Sequence, residues 1–91
     1  MNIGNFRIGI DGVFIIAELS ANHNGNLETA IETVKAAKRA GANCIKLQTY
    51  TADTITIDSK KKDFLISDPE SIWSGRTLYD LFQEAYTPWE W

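Results

Sequence analysis

The sequence predicts an α/β fold built on a strand–helix–strand unit, and three observations predict it. A nearly continuous apolar run, Val13 to Leu19, reads as a strand covered on both faces. Leu27, Ala30, Ile31, Val34 and Ala37 then recur at helical spacing and form one apolar stripe. A second β-prone run, Asn43-Cys44-Ile45-Lys46-Leu47-Gln48, follows a glycine. Connections this short imply a right-handed crossover and parallel strands.

Phe6-Arg7-Ile8-Gly9-Ile10 precedes the first strand. Asp11-Gly12 between the two runs suits the positive φ angles of a type I′ turn, which predicts a β-hairpin. Ser20 to Gly25 is a polar turn, and Asn26 is placed to cap the helix. Glu28 and Glu32 near the helix start, with Lys35, Lys38 and Arg39 near its end, complement the helix dipole. Gly41 stands where a left-handed C-terminal cap belongs. Between Thr49 and Gly75 no periodicity persists. Thr54-Ile55-Thr56-Ile57 reads as a short extended piece and Ser67-Asp68-Pro69 as turn chemistry. A loop of that length after a strand is uncommon and usually functional. Thr77 is placed to cap a helix carrying Leu78, Leu81, Phe82 and Ala85. Thr87-Pro88 repeats the start signal three residues before Trp91, an expectation of truncation.

Ninety-one residues make at most one small domain, and 44% apolar with 23% charged residues excludes bulk disorder. A net charge of -3 gives no reason to expect nucleic acid, and the basic run Lys60-Lys61-Lys62 is flanked by Asp58 and Asp63 as a solvated loop would be. The lone Cys44 forms no internal disulfide, no run approaches the roughly 20 apolar residues of a membrane span, and no signal peptide is recognisable. A cytoplasmic protein with no membrane partner is expected.

Polar residues interrupt the apolar strands at two places, Glu18 and the pair Lys46 and Gln48. Alternation puts Lys46 and Gln48 on one strand face, opposite Ile45 and Leu47; likewise Ile16 and Glu18 oppose Ile15 and Ala17. Uncompensated buried charge is costly, so Glu18 and Lys46 either pair with each other or hold a charged ligand. His23, in the turn Asn22-His23-Asn24-Gly25, reads first as a hydrogen-bonded loop residue, with no second ligand at metal-site spacing. Trp73, beside Ser74-Gly75-Arg76 in the long loop, stands next to an arginine suited to carboxylates and amide carbonyls.

Ile16-Ala17-Glu18-Leu19-Ser20-Ala21-Asn22-His23-Asn24-Gly25 resembles the opening signature of sialic acid synthases, and Lys46-Leu47-Gln48-Thr49 resembles their second strand. The helix segment Ala36 to Ala42 is similar too. Ile72 to Leu81, together with Thr87 to Trp91, resembles the branch of that family that makes pseudaminic acid. The resemblance implies an N-terminal, incomplete portion of a (β/α)8 TIM barrel: the hairpin plus the first βαβ unit. The remaining barrel and a C-terminal antifreeze-like domain would lie outside residues 1–91, in a parent that is a domain-swapped homodimer. It implies condensation of phosphoenolpyruvate with 2,4-diacetamido-2,4,6-trideoxy-L-altrose, giving a nine-carbon sugar acid and phosphate. A divalent metal, Mn or Mg, is implied for the parent, with ligands outside this chain. By the same resemblance Glu18 is catalytic, Lys46 faces the phosphoenolpyruvate carboxylate with Gln48 beside it, and Asn22 and His23 line the pocket. Trp73 and Arg76 are expected to contact the sugar. Sialic acid synthases acting on N-acetylmannosamine carry an Asn near the Trp73–Arg76 position, and that departure points to a different sugar. The alternatives are an N-acetylneuraminate or legionaminate synthase fragment, or a non-catalytic truncated remnant.

Overall fold

Backbone hydrogen bonding begins at the N-terminus with a two-stranded antiparallel hairpin, β1 (Asn2–Ile3) and β2 (Phe6–Arg7), in the computed structural model, which describes all of residues 1–91. Gly4, at φ 56°, makes the turn between them, where a side chain would be strained. The hairpin therefore lies earlier than the one expected across Asp11-Gly12. The Asp11 carboxylate accepts the Arg7 backbone N–H at 2.7 Å and the Arg7 guanidinium at 2.6 Å. The Ile10 and Asp11 N–H groups both donate to the Arg7 carbonyl, at 3.1 and 3.0 Å. These local bonds use the groups that a Phe6–Ile10 ladder would need.

The chain forms two compact units, Met1–Leu47 and Gln48–Trp91. In the first, β3 (Ile16–Ser20) and β4 (Cys44–Leu47) pair in parallel through α1 (Leu27–Arg39), as expected for a βαβ unit. Asn43 sets the register: its Oδ1 accepts the Ile15 N–H at 2.8 Å while its own N–H donates to the Ile15 carbonyl at 2.9 Å. Ile16, Ala17 and Glu18 then stand opposite Cys44, Ile45 and Lys46. A bulge follows, because Ser20 rather than Leu19 is the partner of Leu47.

α1 packs on both strands. Asn26 Oδ1 accepts the Thr29 N–H at 2.9 Å, the cap that the sequence predicted. At the other end Gly41 adopts φ 98°, and Ala42 and Gly41 donate to the Ala37 and Lys38 carbonyls, a Schellman closure. Leu19 and Ala30 are buried, whereas Ile16, Glu18 and Lys46 are exposed. In this chain the strand pair is thus covered on one face, not on both. Leu27, Ile31 and Val34 of the helix stripe, and Leu47, also retain exposure.

The second unit is held together by side chains more than by ladders. α2 (Ala52–Ile55) replaces the extended piece expected at Thr54 to Ile57. A capping box explains it: the Thr51 N–H donates to Thr54 Oγ1 at 3.1 Å, and that hydroxyl donates to the Thr51 carbonyl at 2.9 Å. A 3₁₀ turn spans Lys62–Phe64. Residues 65–77 then form a loop closed at its neck, where Ile66 N–H donates to the Arg76 carbonyl and Gly75 N–H to the Ile66 carbonyl, both at 2.9 Å. Inside it, Asp68 Oδ1 accepts the Glu70 N–H and the Asp68 carbonyl accepts the Ser71 N–H at 3.2 Å, so the turn read at Ser67-Asp68-Pro69 forms one residue later, over Asp68–Ser71, while Ser71 Oγ accepts the Trp73 N–H. It is a compact Ω-loop.

Thr77 Oγ1 accepts the Asp80 N–H at 3.1 Å and caps α3 (Leu78–Glu84) as expected. Tyr50 is buried with its ring edge-to-face on Phe82 at 5.4 Å, and its hydroxyl donates to the Ala85 carbonyl. The Thr87 N–H donates to the Gln48 carbonyl at 2.8 Å. Thr87-Pro88 opens only a single turn, closed by Trp91 N–H on the Pro88 carbonyl.

Candidate functional site

The β3–β4 register places Glu18 directly opposite Lys46, and Lys46 Nζ donates to Glu18 Oε1 at 3.1 Å. Each side chain is 58% exposed. An ion pair that open contributes about 0–1 kcal/mol, too little to explain two charges set into otherwise apolar strands. An ammonium has three N–H donors, and Glu18 takes one, so two remain to meet an anion. Both residues stand toward the carboxyl ends of parallel strands, the edge where α/β proteins gather their ligands. Of the two readings open for this pair, the ion pair is formed, and its exposure leaves it able to serve a ligand.

The loop after β3 is tightly specified. Ser20 (φ 55°) and Asn24 (φ 50°) occupy the left-handed region that side chains disfavour, and Gly25 (φ 66°) occupies it at no such cost. Asn22 is exposed and its N–H donates to the Leu19 carbonyl at 3.0 Å. His23, by contrast, is 2% exposed, the most deeply buried large side chain of the chain. Its Nδ1 accepts the Gly25 N–H at 3.1 Å and its carbonyl accepts the Asn26 N–H at 3.0 Å. Glu18, Lys46, Asn22 and His23 therefore share one end of one βαβ unit.

Gln48, Trp73 and Arg76 belong to the second unit. Gln48 is exposed and its carbonyl is held by Thr87. The Arg76 guanidinium lies 5.1 Å from the centre of the Trp73 ring, and its Nη2 donates to Glu84 Oε1 at 2.6 Å. The mutual hydrogen bond raises the Arg76 pKa and lowers that of Glu84. Sequence reasoning passed over Glu84. Its signal was a carboxylate at the last position of a helix, where the dipole disfavours negative charge unless a cation answers it. No three His, Cys, Asp or Glu side chains converge in the chain.

A carboxylate and an ammonium thus stand side by side toward the carboxyl ends of two parallel strands, and a strand-to-helix turn with residues at positive φ follows the first of them. Residues 33–91, well over half of the chain, match the NeuB family. The chain is 55% identical over all 91 residues to pseudaminic acid synthase from Campylobacter jejuni, covering 26% of that protein. It is 48% identical over 77 residues, 85% of the chain, to pseudaminic acid synthase from Helicobacter pylori, covering 22% of it. N,N'-diacetyllegionaminic acid synthase from Legionella pneumophila is 51% identical over 49 residues, 54% of this chain and 14% of that one. The chain belongs to the NeuB family. It spans about a quarter of the length of the pseudaminic acid synthases it matches. No helix is long and apolar enough to cross a membrane.

Proposed function

We propose that these residues form the first βαβ unit of a (β/α)8 barrel in a cytoplasmic, homodimeric pseudaminic acid synthase. The parent joins phosphoenolpyruvate to 2,4-diacetamido-2,4,6-trideoxy-L-altrose, giving pseudaminic acid and phosphate. The observation that carries the reading is 55% identity across the whole chain to an enzyme of that name, whereas the match to a legionaminic acid synthase covers about half of it.

In this reading phosphoenolpyruvate C3 forms a carbon–carbon bond to the aldehyde carbon of the open-chain sugar. Water adds at C2, and the tetrahedral carbon expels phosphate. Lys46, with donors left over from its bond to Glu18, receives the phosphoenolpyruvate carboxylate. Glu18, fixed by the same bond, takes a sugar hydroxyl or moves a proton at the reacting end. Asn22 lines the pocket, Gln48 adds a polar contact, and Trp73 with Arg76 contacts the sugar.

The test uses the full-length enzyme that contains these residues, given phosphoenolpyruvate and either the diacetamido hexose or N-acetylmannosamine. Phosphate release in step with a nine-carbon acid, faster with the diacetamido sugar, is expected. Glu18→Gln is expected to lower kcat about 10²–10⁴-fold, the range of acid–base contributions. Lys46→Ala is expected to raise the KM for phosphoenolpyruvate about tenfold or more, the value of a charge-assisted contact. A preference for N-acetylmannosamine would overturn the choice of sugar. Small, equal effects of both substitutions would reduce Glu18 and Lys46 to a structural ion pair.

A further inference from the structure

We infer that His23 is a positioning residue: its Nδ1 holds the Gly25 N–H and so sets the Ser20–Gly25 turn that carries Asn22 just after β3, the strand of Glu18. The inference rests on the reading of Glu18 and Asn22 as parts of the substrate site, and it gives His23 a different task from the pocket wall that the sequence suggested.

Three observations carry it. The ring is 2% exposed, so its working atoms face the protein. Nδ1 lies 3.1 Å from the Gly25 nitrogen, two residues on. A ring nitrogen that accepts a hydrogen bond is itself unprotonated, so this bond calls for a free lone pair on Nδ1. This i to i+2 bond has the form of an Asx-turn, with Nδ1 in the role that Oδ1 of Asn or Asp plays elsewhere. The turn also contains two non-glycine residues at positive φ, Ser20 and Asn24. Asn tolerates this region, but for a residue such as Ser20 it costs about 1–3 kcal/mol and persists where surrounding bonds over-determine it. The His23–Gly25 bond and the Asn22 N–H on the Leu19 carbonyl are two such constraints, one on either side of Asn22.

The analogy to an Asx-turn designs the test in the full-length enzyme. Asn places an amide oxygen where Nδ1 stands, Gln places an amide nitrogen where Nε2 stands, and Phe keeps the ring volume without the acceptor. His23→Phe is expected to lower kcat/KM about ten- to hundredfold, the cost of a misplacement near 1 Å, with His23→Asn recovering to within about threefold of wild type. Gln recovering better than Asn would make Nε2 the working atom, and wild-type activity in Phe would leave only volume; either overturns the inference. Because Phe could also destabilise the turn, the wild-type ring is examined directly by two-bond proton–nitrogen NMR, with His23→Asn identifying the signal. An unprotonated Nδ1 supports the inference and a protonated one overturns it. If Glu18→Gln leaves turnover unchanged, the catalytic reading fails instead.

Discussion

Residues 1–47 and 48–91 satisfy their backbones by different means. In the first unit a parallel ladder, a capped thirteen-residue helix and a Schellman closure do most of the pairing. In the second, hydroxyls and carboxylates of Thr54, Asp68, Ser71, Thr77 and Tyr50 meet main-chain groups over short elements. Periodic structure draws its stability from a shared apolar face, whereas an irregular segment draws it from many separate bonds. The first should fail cooperatively when its core is cut, and the second piecemeal.

The largest expected effect follows from that contrast. Leu19 is 5% exposed beneath α1, and Leu19→Ala removes about 2–5 kcal/mol of stability by deleting buried methyls and leaving a cavity. Tyr50→Phe, which keeps the ring against Phe82 and loses only the bond to the Ala85 carbonyl, costs about 1–2 kcal/mol. Urea unfolding of the full-length enzyme measures both. Equal losses would erase the distinction between the units.

Arg76 sharpens it on the functional side. Arg76→Ala is expected to reduce the preference for the diacetamido sugar over N-acetylmannosamine about ten- to hundredfold, because a site built on hydrogen bonds discriminates strongly. Trp73→Ala, losing an apolar contact and the stacked guanidinium, should reduce it less. The ratio of kcat/KM values for the two sugars decides, and unchanged ratios in both variants would assign selection to residues outside this chain.

The smallest effect concerns pH. The Arg76 bond holds the Glu84 carboxyl below its ordinary value of 4.5, so the pair stabilises the fold above that value. Its contribution fades as pH falls through the lower, folded value, once the carboxylate is protonated in both states. Melting temperatures of wild type and Glu84→Gln should therefore converge in strong acid and separate modestly as pH rises past 4.5. A gap that does not vary with pH would remove the charge from the argument.

The βαβ unit was legible because its signals are periodic or local: the stripe of α1, the Asn26 cap, Gly41 at the helix end and the alternation that brings Glu18 to Lys46. The hairpin was misplaced because Asp11-Gly12 has good turn chemistry, but the Asp11 side chain spends its acceptors on Arg7. Thr54 to Ile57 looked extended by β-propensity until the Thr51–Thr54 box bent it into a helical turn. The site divides likewise. The Glu18–Lys46 pair follows from parity, while the burial of His23 in a polar turn and the reach of Arg76 to Glu84 depend on contacts that no spacing rule encodes.

The neck between residues 48–50 and 85–87 gives the second unit a modular character. Gln48 and Thr87 are joined at 2.8 Å, and Tyr50 ties to Ala85, so the excursion from Thr51 to Glu84 leaves and returns at nearly one point. A segment anchored this way behaves as a long loop with joined ends. Closing a loop costs only about 0.6 kcal/mol more for each doubling of its length, so selection acting on the excursion is nearly free of a length penalty.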